Sequence, residues 1–319
     1  MGRSPWPNPA VNGYLANTDP EWYAFLRPRV RPPGRLDEVN FWRPSERIFR
    51  ALRSGEPFLF RIKAPHNAIC GFAQFEYSTP LPAWLAWEVF EEGNGVASLQ
   101  ILRERLERLQ EENRIRAGEH ARIACIVLGK PVLFAPDEWV RLPDDWSPRI
   151  QTGKLYDLST GQGARMWREC LDRAALAAPP VAADSAERYG PAALVRQRLG
   201  QAGFRLAVLD AYGRACAVTS EHSLPVLEAA HIRPYAEGGV HDVRNGLLLR
   251  SDLHRLFDRG YVTVTPDGAV RVSSMLRADF ANGRSYYPLD GQTIHLPARR
   301  ADRPDRDLLA WHASDRFLG

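Results

Sequence analysis

The 319-residue chain has no run of about 18 apolar residues, so nothing in it reads as a membrane span. Its opening, MGRSPWPNPAVNGY, lacks the apolar core of a secretion signal, and the cytoplasm is the expected compartment. Cysteine is scarce. Cys70, Cys125, Cys170 and Cys216 stand far apart with no Cys-x-x-Cys pair, which argues against a cysteine zinc knuckle and for four reduced, buried thiols. Lysine is scarcer still: Lys63, Lys130 and Lys154 are the only lysines among 42 basic residues. The net charge of +4 is compatible with a nucleic-acid partner without specifying one. No internal repeat is visible.

What is present exceeds a single core, because one core rarely grows past roughly 250–300 residues. Residues 1–173 read as a strand-rich first domain, 174–192 as an Ala/Pro-rich linker, and 193–319 as a second domain. In the first, Pro57–Lys63 (PFLFRIK) and Ala68–Tyr77 (AICGFAQFEY) alternate as antiparallel strands around the turn APHN. Pro44 and Ser45 suggest a short helix running through Ile48 and Leu52. Ala83–Phe90 reads as a helix, and Val96–Ile115 as an amphipathic one with a charged outer face. Arg122–Phe134 suggests two buried strands broken at Gly129-Lys130. From Pro191 a helix carries Arg196, Arg198 and Arg205, with an interruption at Gly200. Tyr261–Val272 is a hairpin with Asp267-Gly268 at its turn, and the arginine-rich tail is expected to wrap the surface.

The chemistry concentrates between Leu227 and Gly260. A strand ends at His231, Gly238-Gly239 turns the chain, and Asn245-Gly246 leads into Leu247–Leu249. Ser251 or Asp252 then caps a helix on which His254 and Asp258 share a face at i and i+4. Imidazole and carboxylate together suit Mg²⁺, Mn²⁺ or Zn²⁺. Phosphodiester hydrolysis needs a base to activate water and a metal to neutralise charge on phosphate oxygens. An imidazole neutral near pH 7 fits the first role. Asn245 would tie the loop behind His231.

This pattern resembles the HNH nucleases, which carry a ββα-metal finger. The resemblance runs from RLGQAGFR through RACAVT and LEAAHIRP to RNGLLLRSDLHRLFDRG, roughly residues 196–265. It implies that His231 is the general base, Asn245 fixes the loop, and His254 and Asp258 bind a divalent metal, Mg²⁺ or Mn²⁺ with Zn²⁺ or Ni²⁺ as alternatives. One departure stands out: many members have Asp or His immediately before the base, and here Ala230 occupies that place. Glu228 is close in sequence, but strand alternation sets it on the face opposite His231. His222 and His241 have no such frame and read as exposed loop residues.

The first domain resembles the PUA-like superfamily, nearest its EVE branch, through YLANTDPEWYAFL, NFW and PFLFRIKAPHNAICGFAQF. That implies a curved β-barrel that flips a modified base into an aromatic pocket. Trp42, Asn40, Phe41, Trp22 and Tyr23 are its expected lining, with Trp84, Trp87 and Trp146 as further aromatic candidates and Lys63, Arg196, Arg198 and Arg205 contacting DNA. The expected protein is an α+β, modification-dependent endonuclease acting on double-stranded DNA that carries 5-methylcytosine or 5-hydroxymethylcytosine. A homodimer would cut both strands. Rival readings are a nucleic-acid-binding module with weak or absent cleavage, which Ala230 would suit, and an RNA-directed HNH nuclease.

Overall fold

A computed structural model describes residues 12–30, 36–115, 122–177 and 200–319. The chain is mixed α+β and divides into two compact units, residues 1–194 and 195–319.

The first unit is organised by one sheet. Its strands are β1 (Asn12–Thr18), β2 (Glu38–Asn40), β3 (Pro57–Ile62), β4 (Ala68–Pro82), β5 (Arg122–Leu133), β6 (Val140–Arg141) and β7 (Gly153–Asp157). Their order is β2-β5-β4-β3-β1-β7, with β6 pairing β4, and β1 and β3 run parallel. The mixed α+β class is as expected, while the curved barrel is not shown. Among the described strands no pairing joins β2 to β7, so the sheet is open. Strand alternation divides two cores: Phe58, Phe60 and Ile62 join one, while Leu59 joins the other.

Helices α1 (Pro20–Val30), α2 (Ala83–Phe90), α3 (Leu99–Glu112) and α4 (Gly161–Ala177) complete this unit. Helix α3 starts where the Ser98 hydroxyl accepts from the Ile101 amide, and it buries Leu102 and Leu106 while most of its charges face outward and Arg105 is covered in an ion pair with Glu21. The β3–β4 hairpin forms as its alternation indicates. Three expectations need correction. Residues 44–52 form no helix: Ala124 N–H donates to Ser45 O and Phe49 N–H to the Ser78 hydroxyl, so the segment is held by neighbouring strand residues instead. The break at Gly129-Lys130 is only a kink. Lys130 takes a φ of 50° and the register with β4 shifts between Phe72 and Gln74, yet pairing resumes at Val132 and β5 runs on to Leu133. Finally, residues 174–177, assigned to the linker, belong to α4, and the rest of that segment lies outside the described residues.

The second unit contains α5 (Gln201–Ala211), β8 (Leu227–His231), β9 (Gly246–Arg250), α6 (Ser251–Asp258), β10 (Val262–Val264), β11 (Val270–Val272), α7 (Met275–Phe280) and α8 (Arg306–Asp315). Strands β8 and β9 pair antiparallel with His231 opposite Gly246. That glycine is a matter of space. A Cβ there would lie 2.4 Å from Val208 and 3.1 Å from the Phe204 ring. The tail does not merely wrap the surface, because α8 buries Leu309 and His312. His312 stacks on Phe257 at 3.7 Å and bonds Thr263 Oγ1 and the Phe257 carbonyl. All four cysteines are free and buried, as their spacing suggested.

Candidate active site

His231 ends β8, half-buried, with one ring face stacked on Phe204 of α5 at 3.9 Å and 13°. Gly246 across the ladder leaves the room that lets α5 approach so closely. Burial pushes the His231 imidazole down to about 4, helped by the nearby His241 and His254. At pH 7 the ring is therefore neutral, the form that accepts a proton.

Asn245 is 1% exposed and closes the loop between the strands. Its Oδ1 accepts from the Arg233 amide at 2.9 Å, and its Nδ2 donates to the carbonyls of Arg233 and Val240 at 3.0 Å each. The amide thus satisfies three backbone groups of a segment with no ladder of its own.

Helix α6 presents His254 between two carboxylates. His254 Nδ1 lies 2.7 Å from Glu228 Oε2, and Nε2 lies 3.4 Å from Asp258 Oδ2. An ionised carboxylate only accepts, so in the neutral ring the closer Glu228 contact sets the hydrogen on Nδ1 and leaves Nε2 a lone pair. Such an arrangement orients an imidazole toward a metal. Desolvation and the Glu228 charge raise the Asp258 carboxyl above its ordinary value, although 54% of its side chain stays exposed. A cation beside Asp258 and the Nε2 edge would relieve that crowding of negative charge, and a donor pair of one imidazole and one carboxylate suits a divalent ion. Among the described residues, no group of three His, Cys, Asp or Glu side chains is gathered closely enough to form a complete metal cage.

Two residues set aside on sequence grounds belong here. Counting along β8 separates Glu228 from His231, but its partner His254 comes from α6, on which strand alternation is silent. His241 is not a bystander: its Nδ1 lies 3.0 Å from His231 Nε2, and its ring stacks on Tyr235. The helix cap also differs. Arg250 is the N-cap of α6, and the Asp252 carboxylate pairs with the Arg250 guanidinium instead of capping.

The expected base pocket in the first unit is corrected by burial. Asn40 is fully buried and spent: it donates to Asn94 Oδ1 and Cys125 Sγ and accepts from Ile126 N. Trp22, Tyr23 and Phe41 pack the sheet core, with Trp22 Nε1 donating to Asn40 O and Tyr23 Oη to Phe134 O. Trp42 is half-buried, its Nε1 committed to Asn94 O at 3.0 Å. Lys63 is exposed, Arg205 is half-buried on α5, and Arg196 and Arg198 lie outside the described residues. A different polar cluster forms at the ends of β1 and β3. Arg61, only 8% exposed, donates to Asn17 and Asn67 and lies 4.9 Å from the Trp146 ring. Among the described residues, its Nε and the Trp146 Nε1 are buried without a hydrogen-bond partner.

Residues 216–265, which hold every side chain of the His231 site except Phe204, match the family model described as HNH endonuclease. No curated protein matches the chain. Among solved structures, the modification-dependent TagI restriction endonuclease is similar at 16% identity and a TM-score of 0.29, covering 83% of this chain and 62% of that one. ASCH from Zymomonas mobilis is similar at 12% identity and a TM-score of 0.32, covering 49% of this chain and 93% of that one. These overlaps are loose, and the functional reading rests on the matched segment and its geometry.

Proposed function

We propose that the protein is a divalent-metal-dependent HNH endonuclease that cuts double-stranded DNA carrying a modified base. The observation that carries the nuclease reading is the convergence, within the matched segment, of a neutral His231, the Asn245 clamp and the carboxylate-flanked His254. In this reading β8, β9 and α6 are the ββα-metal finger, His231 is the general base, and Asn245 fixes the loop that carries it. His254 and Asp258 would hold Mg²⁺ or Mn²⁺, with Glu228 orienting the imidazole. The bound ion would neutralise charge on the scissile phosphate and its leaving oxygen. Arg205 and Lys63 are assigned to the DNA backbone.

Choice of target is assigned to the first unit, on its sequence resemblance to PUA/EVE readers, with 5-methylcytosine or 5-hydroxymethylcytosine as the preferred mark. The flipped base is assigned to the Arg61–Trp146 cluster. There two donors lacking acceptors lie beside an aromatic face, and cytosine offers acceptors at O2 and N3. Each finger cuts one strand, so a homodimer would make a double-strand break.

The test is digestion of otherwise identical DNAs containing cytosine, 5-methylcytosine, 5-hydroxymethylcytosine, glucosylated cytosine or methylated adenine. Cutting confined to a modified-cytosine substrate is expected, and Trp146→Ala should erase that preference while sparing the nuclease. Equal cutting of every substrate removes the reader assignment and leaves the nuclease intact.

A further inference from the structure

We propose that His241 is the positioning residue for the base: its Nδ1 accepts the Nε2–H of His231 and so leaves the His231 Nδ1 lone pair for water. The inference rests on reading His231 as the general base. Its first support is distance. The two imidazoles meet at 3.0 Å between His231 Nε2 and His241 Nδ1.

When both imidazoles are neutral that contact holds one hydrogen, and the choice of donor has a chemical consequence. If His231 accepted through Nε2, its own hydrogen would sit on Nδ1, and neither nitrogen would be free to take a proton. A functioning base therefore has to be the donor, with His241 as acceptor. The neighbours hold both rings for this purpose. Phe204 stacks on His231 at 3.9 Å, and Tyr235 stacks on His241 at 4.8 Å and 9°. Asn245 pins the carbonyl of Val240, immediately before His241. The loop clamp thus fixes the second imidazole as well as the backbone behind the first.

The step balances without another reactant. An O–H bond of water breaks, its proton goes to His231 Nδ1, the oxygen bonds phosphorus, the bond from phosphorus to the leaving sugar oxygen breaks, that oxygen takes a proton from solvent water, and His231 Nδ1 afterwards returns its proton to solvent. The resulting imidazolium keeps its Nε2–H on His241, where the hydrogen bond becomes charge-assisted. This is the logic of a base oriented by a third group, with a neutral imidazole in the place where a carboxylate often stands.

Two measurements test it. The first is the ¹⁵N spectrum of the His231 ring in the full-length protein above pH 7, which needs no substrate. Hydrogen on Nε2 is expected, and hydrogen on Nδ1 overturns the proposal. The second compares His241→Phe and His241→Asn on supercoiled plasmids with and without 5-methylcytosine, in Mn²⁺. Phenylalanine keeps the stack on Tyr235 but offers no acceptor, and kcat should fall roughly 10–100-fold with KM little changed. Asparagine places an oxygen near the position of Nδ1 and should restore most of the loss. A wild-type kcat for His241→Phe, or an asparagine variant no better than phenylalanine, overturns the assignment. A wild-type protein that cuts no DNA defeats the nuclease reading instead, and the ¹⁵N result still decides the tautomer.

Discussion

Replacing Asn245 by alanine removes three hydrogen bonds at once from a side chain that is 1% exposed. An intramolecular hydrogen bond contributes about 1 kcal/mol net, and a buried partner left unsatisfied costs about 1–3 kcal/mol. The three stranded groups, Arg233 N–H and the carbonyls of Arg233 and Val240, lie in a part-buried loop that water can reach in part, so the lower end applies. The sum is about 3 kcal/mol. For a unit of this size each kcal/mol moves Tm by about 4 °C, giving a drop of about 12 °C. Scanning calorimetry of the full chain would follow the transition of the second unit, and cleavage would be assayed well below it. Asn245→Asp keeps the acceptor for Arg233 N–H but sets an anion against two carbonyls, so it should fall at least as far. A shift under about 3 °C for the alanine variant would refute the view that this amide is the main tie of the loop.

Glu228→Gln should weaken Mn²⁺ binding roughly 10–100-fold by titration calorimetry, because the carboxylate that fixes the His254 tautomer is lost; unchanged affinity would dissociate Glu228 from the metal side. Gly246→Ala places a methyl 2.4 Å from Val208 and should cost about 1–3 kcal/mol in urea unfolding; a neutral result would show that α5 yields easily. His312 makes the fold acid-sensitive. Burial pushes its imidazole down to about 4 from an unfolded value near 6.5, so the unfolded chain alone takes the proton as pH falls between them. Stability is full above about 6.5 and drops toward pH 4, by up to roughly 3 kcal/mol from this ring, with a smaller contribution in the same window from half-buried His231. Urea midpoints at pH 7 and 4.5 should differ more in wild type than in His312→Phe; equal differences would contradict the assignment.

Local signals in the sequence carried the second unit well. The i, i+4 pair on α6, the strand ending at His231 and the loop role of Asn245 all follow from spacing and backbone need. What spacing does not encode is which side chains meet across elements. Glu228 was set aside by counting along its own strand, and His241 for want of a nearby motif, yet both find their partners through packing. Phe204 lies in a helical stretch read for its arginines, and its stacking on His231 depends on the missing side chain at Gly246. In the first unit, aromatic residues in an apparently open segment suggested a pocket. Trp22, Tyr23 and Phe41 instead fill the core, because an open sheet flanked by helices needs large rings to cover it. Arg61 reads from an alternating strand as solvent-facing, whereas its two terminal nitrogens donate to Asn17 and Asn67 under cover and its Nε stays unpaired among the described residues.

Under the proposed function, His231 is the base of a DNA-cutting site. The most direct test is cleavage of plasmid DNA with and without 5-methylcytosine by the wild-type protein and His231→Ala, each with Mg²⁺ or Mn²⁺ and with chelator. Metal-dependent cutting by wild type is expected, with a loss of at least about 100-fold in the variant and its folding transition retained. Wild-type cleavage by His231→Ala would contradict it.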